Sequence, residues 1–407
     1  MSLDKFNKSI IMKVYIITGE PFPNGMAATN RIKCYAWALL SQDIDVEVLI
    51  FRRTEVIGSM LGNKKAIGEF KGINYRYIGK TPIRSKNPIV WRIVEKMDYH
   101  RTIMYLNKNL KKGDVVIFYC SPQLDLTLRI INKTRHRGAK FVRDLCELPF
   151  GTGEETSKNV NLRNRTYTDQ FPLLDGIISI SEALSALATK YVSKDKIIKI
   201  PILVDYDSYK MEDSSSKAET PYIFHSGTLY EQKDGILGML EAFGMAVERI
   251  TIPLEFILTG TKEKSPHAKE IDEIISKYDL GNRVKFTGYL SNDELKSYLS
   301  KASLVIINKY ETQQNVYCFS TKLGEYLAAS KPLIITNVGE AMNWLKDKKS
   351  AYIIPPKDKQ ALANAIVKAV ENPIERKKIG LSGQDVCKNS FDYRVWGKTL
   401  VDFLMKI

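Results

Sequence analysis

Cysteine and histidine are scarce in this chain: five Cys and four His among 407 residues. The cysteines (Cys34, Cys120, Cys146, Cys318, Cys387) are odd in number and widely spaced, with no C-x-x-C pair. That argues against a disulfide framework or a zinc site and for a reducing compartment. No run of eighteen apolar residues occurs, so no transmembrane helix is expected. The opening residues lack a long apolar stretch and a small-residue cleavage site, which argues against a signal peptide; residues 1–11 read as an extension ahead of Met12. The dinucleotide fingerprint G-x-G-x-x-G is missing, as are internal repeats and low-complexity tracts. A cytoplasmic globular protein is what these absences leave.

What is present suits two α/β domains, since 407 residues exceed one ordinary core and the composition (44% hydrophobic, 26% charged) is that of a globular protein. Charge is unevenly spread. Residues 1–200 hold 33 Lys+Arg against 19 Asp+Glu, a surplus of fourteen, and the remainder holds 28 against 27. The basic front half either meets an anionic partner, such as a phospholipid surface, a lipid diphosphate or nucleic acid, or is a solvated face.

Apolar runs alternate with helical patterns along the whole chain. Lys13–Thr18 reads as a buried strand, followed by a loop with Gly19 and Gly25 and a helix from about Ala28 to Leu40 that carries Arg31. Further strands are expected at Val46–Phe51, Val115–Tyr119 and Lys140–Asp144. Asp43 and Asp45, and Asp205 and Asp207, match D-x-D only formally, as a helix-to-strand junction and a linker, so no metal site is expected. Residues 84–112 form a basic helical segment whose Trp91, Val94, Met97 and Met104 either rest on a membrane surface or pack into the core. The turn after the fourth strand, Arg143 to Pro149, places Asp144 and Glu147 beyond a strand's carboxyl end, where doubly wound sheets bind ligands. A polar stretch at 211–220 reads as a linker.

The second half opens with a strand ending in Gly227, with Lys233 six residues on; a cation and free amides thus share a sheet edge. His225, inside that apolar strand, reads as a core residue. The richest stretch is Ser303–Glu340: a buried strand (Leu304–Ile307), a polar loop, a short helix opening near Ser320, and a second buried strand (Leu333–Thr336). Ser320 or Thr321 is expected to cap that helix with its side chain, and Lys322 adds a positive charge to the first turn, where unpaired backbone N–H groups already favour an anion.

The run FSTKLGEYLAASKPLIIT within this stretch resembles the donor-site segment of glycosyltransferase family 4, retaining nucleotide-sugar-dependent enzymes of GT-B architecture. The resemblance extends over nearly the whole chain, strongly from Gly227 to Glu340 and weakly between about Ile57 and Asn109. It implies two Rossmann-like domains facing across a cleft: an acceptor domain (1–210), a nucleotide-sugar domain (221–390) and a terminal helix (391–407) crossing back to the first. By resemblance, Lys233 and Lys322 neutralise the donor diphosphate; Gly227, Thr228, Ser320 and Thr321 line it; Glu325 meets the ribose; and Gly288 and Tyr289 lie beside the base. On the acceptor side the resemblance points to Gly25, Arg31 and Glu147, with Asp144 orienting the acceptor hydroxyl. Two positions depart from the family pattern: Thr228 stands where the family has Arg, and Tyr317 where it has a carboxylate for the donor sugar. No cofactor or metal is implied beyond the donor itself. The expected reaction is transfer of a sugar to a lipid-linked or polysaccharide acceptor in cell-envelope glycan synthesis, with a peripheral contact at the inner face of an anionic membrane and no nucleic acid. The alternatives are a sugar-nucleotide epimerase of the same architecture and a non-catalytic basic adaptor.

Overall fold

A computed structural model describes residues 12–57, 62–119, 124–150, 156–209 and 220–407. The extension at 1–11, Cys120 and the expected linker at 211–220, apart from Thr220, lie outside these residues. The chain divides into two compact units, residues 1–203 with 393–407, and residues 204–392.

The first unit contains β1 (Lys13–Thr18), β2 (Asp45–Ile50), β3 (Glu55–Val56), β4 (Ile67–Phe70), β5 (Ile73–Tyr77), β6 (Ile83–Arg84), β7 (Val115–Tyr119), β8 (Lys140–Leu145), β9 (Gly176–Ser179) and β10 (Ile197–Lys199). Eight of them form one sheet in the order β10-β9-β8-β7-β1-β2-β5-β4, while β3 pairs with β6. All its pairings are parallel except β4 with β5. Continuous apolar runs such as the fully buried VVIFY of β7 are what a sheet covered on both faces requires. The β4–β5 hairpin, unforeseen in the sequence, turns on Lys71 (φ 47°) and Gly72 (φ 83°), the two left-handed residues a tight hairpin turn demands.

The strand β8 runs through Leu145, so Arg143 and Asp144 belong to the strand and not to a turn beyond it. The segment at 88–109 is a helix (Pro88–Asn109), entered through Asn87, whose side chain caps the Ile89 and Val90 amides. Its inward face is Asp98, Thr102 and Leu106. Asp98 holds Arg53 (2.9 Å) and Arg101 (2.7 Å). This polar docking turns Met97 and Met104 outward, with Ile89, Val90 and Ile93; the core reading of this stripe does not hold for them.

The second unit contains β11 (Tyr222–His225), β12 (Glu255–Leu258), β13 (Val284–Phe286), β14 (Leu304–Ile307), β15 (Leu333–Thr336) and β16 (Tyr352–Ile354). They form one sheet, order β13-β12-β11-β14-β15-β16, with every pairing parallel. The order reverses between β11 and β14, and loops leaving two such neighbours diverge and open a crevice at their carboxyl ends. Helix Ile236–Val247 buries Met239, Leu240 and Phe243 on this sheet, Phe243 lying 5.4 Å from the Phe256 ring of β12. The unit begins at Val204, whose amide bonds Phe391 O (2.8 Å), and this pairing takes residues 204–209 away from the first unit.

Both units thus have the α/β, Rossmann-like, doubly wound form. The terminal helix, Tyr393–Lys406, belongs to the first unit and packs on the helix Ala27–Leu40. Tyr393 meets Trp37 at 5.8 Å, and Gly397 approaches so closely that a Cβ there would stand 2.8 Å from Ala38 O. A backbone carbonyl cannot step aside cheaply, so Gly397→Ala is expected to destabilise the first unit by about 1–3 kcal/mol. A fall in the urea midpoint at unchanged m-value checks this.

Candidate functional site

In the first unit the sheet reverses between β1 and β7, and the loop leaving β1 carries Glu20 and Gly25. That loop is braced. The Phe22 amide bonds Tyr77 Oη (3.0 Å), the Asn24 amide bonds Asn63 Oδ1 (2.8 Å), and Thr29 Oγ1 donates to Pro21 O (2.6 Å). Gly25 is required by the last of these, since a Cβ would fall 2.1 Å from Thr29 Oγ1. Glu147 is half-buried. Burial pushes the neighbouring Glu20 carboxyl up, Arg52 pulls it down, and the charge of Glu147 pushes it up again. Glu20 was not singled out from the sequence; an acid directly after the Gly that ends the first strand was the available signal.

Arg31 and Asp144 are placed together inside the unit. Their side chains are 2% and 0% exposed and sit 3.2 Å apart. Arg31 Nη1 donates to Pro201 O (2.6 Å), and Nη2 to Ile200 O (3.1 Å) and to Tyr35 Oη. Tyr35 Oη in turn donates to Asp144 Oδ1 (2.6 Å). Burial opposes the Arg31 charge, but Asp144 overcomes it and holds the guanidinium well above its ordinary value. A guanidinium whose donors are committed inside the unit ties helix to sheet.

In the second unit the residues that matter gather at the β11–β14 reversal. After β11 the Gly227 amide bonds Thr259 Oγ1 (2.8 Å), and the Ser226 amide bonds Tyr326 Oη (2.7 Å). The next turn, Glu231–Asp234, ends at Gly235, whose φ of 61° and closeness to Asn308 both require glycine. This turn brings Asp234 back beneath Thr228. Asp234 Oδ2 accepts from the Thr228 amide (3.0 Å) and hydroxyl (2.9 Å), and Oδ1 from Lys322 Nζ (2.5 Å). Thr228, in the place of an Arg, is a partner of Asp234.

Lys309, at the end of β14, was missed because nothing in its local sequence marks it. Its Nζ donates to Lys233 O (3.1 Å) and Asn315 Oδ1 (3.2 Å). Burial, then the nearby Lys322, brings its pKa down to about 8. Burial alone would raise Asp234; Lys322 foremost, then His225 and Lys309, hold it well below the ordinary carboxylate range. Lys233 itself is exposed and precedes Asp234 in the same turn. Of the two expected cations, Lys322 bonds Asp234 and Lys233 precedes it in the turn, with Lys309 as a third cation on the Lys233 carbonyl.

The helix expected near Ser320 is Thr321–Ala328, half-buried at Lys322 and Glu325. Ser320 occupies its N-cap, but no side-chain cap bond forms there, contrary to expectation. An extra short helix, Gln313–Tyr317, interrupts the polar loop before it. Gly288 (φ 73°) lies beyond β13 and exchanges backbone bonds of 2.8 and 3.1 Å with Gly260, which adjoins Gly227. Tyr289 beside it is 80% exposed, an open ring face at the same sheet edge. Among the described residues no cluster of three His, Cys, Asp or Glu could hold a metal ion.

Comparison with known proteins gives this geometry its setting. A family model described as glycosyl transferases group 1 matches residues 208–386, the unit that holds these cations. The chain is 30% identical over 310 residues to the alpha-1,3/1,6-mannosyltransferase ALG2 of Dictyostelium discoideum, covering 72% of this chain and 70% of that one. The chain belongs to the group 1 glycosyltransferases. Its fold is that of solved GT-B structures. Sucrose-phosphate synthase from Thermosynechococcus elongatus superposes with a TM-score of 0.72 at 16% identity, covering 97% of this chain and 98% of that one. Anabaena HepE in complex with UDP and glucose gives 0.70 at 16% identity, covering 97% and 100%. This glycosyltransferase is therefore an enzyme that moves a glycosyl unit.

The buried pair of the first unit can be tested apart from catalysis. Arg31→Met leaves Asp144 without its cation and is expected to cost about 3–5 kcal/mol, whereas Arg31→Met with Asp144→Leu should recover most of it. Urea unfolding of both variants reads the difference.

Proposed function

We propose that this glycosyltransferase transfers with retention of configuration to a lipid-linked or polysaccharide acceptor, holding its donor diphosphate at the β11–β14 edge of the second unit. One observation carries the reading: Lys322 and the Thr228 amide meet on Asp234 at the carboxyl ends of these two strands, and Lys309 bonds the backbone carbonyl of Lys233 in the same turn. As the bond between sugar C1 and the phosphate oxygen breaks, negative charge builds on the diphosphate, and fixed cations and amides stabilise it there. The amides opening helix Thr321–Ala328 add to this field. A new bond joins C1 to the acceptor oxygen, and the departing phosphate takes the acceptor's proton. Glu325 then suits the ribose, and Gly288 with the open ring of Tyr289 suits the base. On the acceptor side, Gly25 and Glu147 keep their expected roles, with Glu20 beside them.

A panel of nucleotide sugars in thermal-shift and transfer assays tests this. Lys233→Ala and Lys322→Gln (the amide keeps a donor against Asp234) should each lower transfer roughly a hundredfold to a thousandfold. Unimpaired transfer in both variants removes the reading.

Peripheral membrane contact is the second element of the proposal. No described helix is long and apolar enough to cross a membrane, yet Pro88–Asn109 presents Ile89, Val90, Ile93, Met97 and Met104 to solvent beside the exposed Lys86, Arg92 and Lys96. Apolar side chains flanked by cations fit an anionic lipid surface. Ile93→Glu with Met97→Glu should cut co-sedimentation with phosphatidylglycerol vesicles at least about tenfold, since two buried side chains and two cations' worth of attraction are lost. Equal binding by the variant, or equal binding to neutral vesicles, contradicts the contact.

A further inference from the structure

The donor site as read above contains an anion of its own. Asp234 is 2% exposed, and its two oxygens take the Lys322 ammonium, the Thr228 amide and the Thr228 hydroxyl. These three donor types are the ones a phosphate oxygen would use. Among the described cations of this corner, Lys322 is the one bonded to a carboxylate, and its side chain stays 18% exposed. The pair is therefore open on the lysine side, unlike the sealed Arg31–Asp144 pair of the first unit.

A second observation falls on the same point. A Cβ on Gly227 would stand 2.4 Å from Lys322 Nζ, 2.7 Å from His225 Nε2 and 2.8 Å from Asp234 Oδ2, so the three groups crowd one spot that only glycine leaves free. His225 is 1% exposed, and its Nδ1 lies 2.9 Å from Ile306 O. A carbonyl oxygen only accepts, so Nδ1 carries the proton and Nε2 is a bare acceptor. Nε2 has no protein partner in the structure. Burial, then Lys322, keeps the ring neutral, with a pKa of about 4. A buried acceptor left open beside an ion pair is a place where the ammonium can turn when its first partner is exchanged.

We propose that Asp234 is a resident counter-anion of the donor site, occupying Lys322 and Thr228 until the donor's diphosphate displaces it. The inference rests on the donor-site reading above and assigns Asp234 a positioning and selecting role within it. A singly charged anion gains too little from Lys322 to break the internal pair, whereas a diphosphate, held also by Lys233 and Lys309, gains enough. Asp234 thus works against weak anions, a repulsive element that turns a general anion site into one for diphosphates.

Calorimetric titration of UDP, GDP and inorganic phosphate into the wild type, Asp234→Asn and Asp234→Glu decides it. Asp234→Asn is expected to bind the nucleoside diphosphate roughly tenfold more tightly, the worth of one charge-assisted bond, and to acquire measurable phosphate binding. Asp234→Glu, which keeps the charge, should stay within about twofold of the wild type on the same scale. A purely structural Asp234 predicts the opposite sign, and equal or weaker binding by Asp234→Asn overturns the proposal. Should that variant not fold, Asp234→Ser, whose hydroxyl still meets Lys322, is read by the same criterion. If neither UDP nor GDP nor the other nucleoside diphosphates bind the folded wild type, the donor-site reading fails, and this inference with it.

Discussion

Lys322 and Asp234 stand 88 residues apart in sequence and 2.5 Å apart in space, and the second unit's functional edge is arranged around that contact. A carboxylate buried to 2% exposure is tolerable only when cations and donors surround it, because the cost of taking it out of water is otherwise several kcal/mol. Lys322, Lys309, and the Thr228 amide and hydroxyl meet that requirement together. The same field of donors is what a diphosphate leaving group needs. A group that stabilises an internal anion in the resting enzyme is thereby already aimed at the anion that forms during reaction, and little reorganisation is needed when charge develops.

The two units solve one problem in two ways. Each places an ion pair near the carboxyl edge of its sheet. In the first, Arg31 commits its donors to Asp144, Tyr35 and two backbone carbonyls, and the pair is closed to exchange. In the second, Lys322 remains partly exposed and carries a point charge on a flexible stem, so its partner can change. Residue chemistry alone does not separate these cases; exposure and the count of committed donors do.

The outer helix Pro88–Asn109 shows how far periodicity can mislead. Its apolar residues recur at helical spacing, yet the face that docks is Asp98, Thr102 and Leu106, held by the Asp98 ion pair with Arg53. An apolar stripe signals a buried face only when nothing polar competes for the docking role, and here Arg53 reaches across to the Asp98 carboxylate.

Strand runs, the helices between them and the glycine-ended loops were legible locally. β1, β7, β14 and β15 begin and end where their apolar runs do, because a strand buried on both faces can carry little else. The motif around Lys322 and the turn around Lys233 could likewise be read off, since helix starts and strand ends concentrate unpaired amides by backbone geometry alone. Only the tertiary structure decided which charges are shared. It joined Arg31 to Asp144 across 113 residues, set Asp234 against Lys322 and Thr228, and drew in Lys309 and His225, neither of which any local pattern distinguishes. Local sequence fixes where a charge lies along the chain, but the order in which strands join the sheet fixes which other charge it must face.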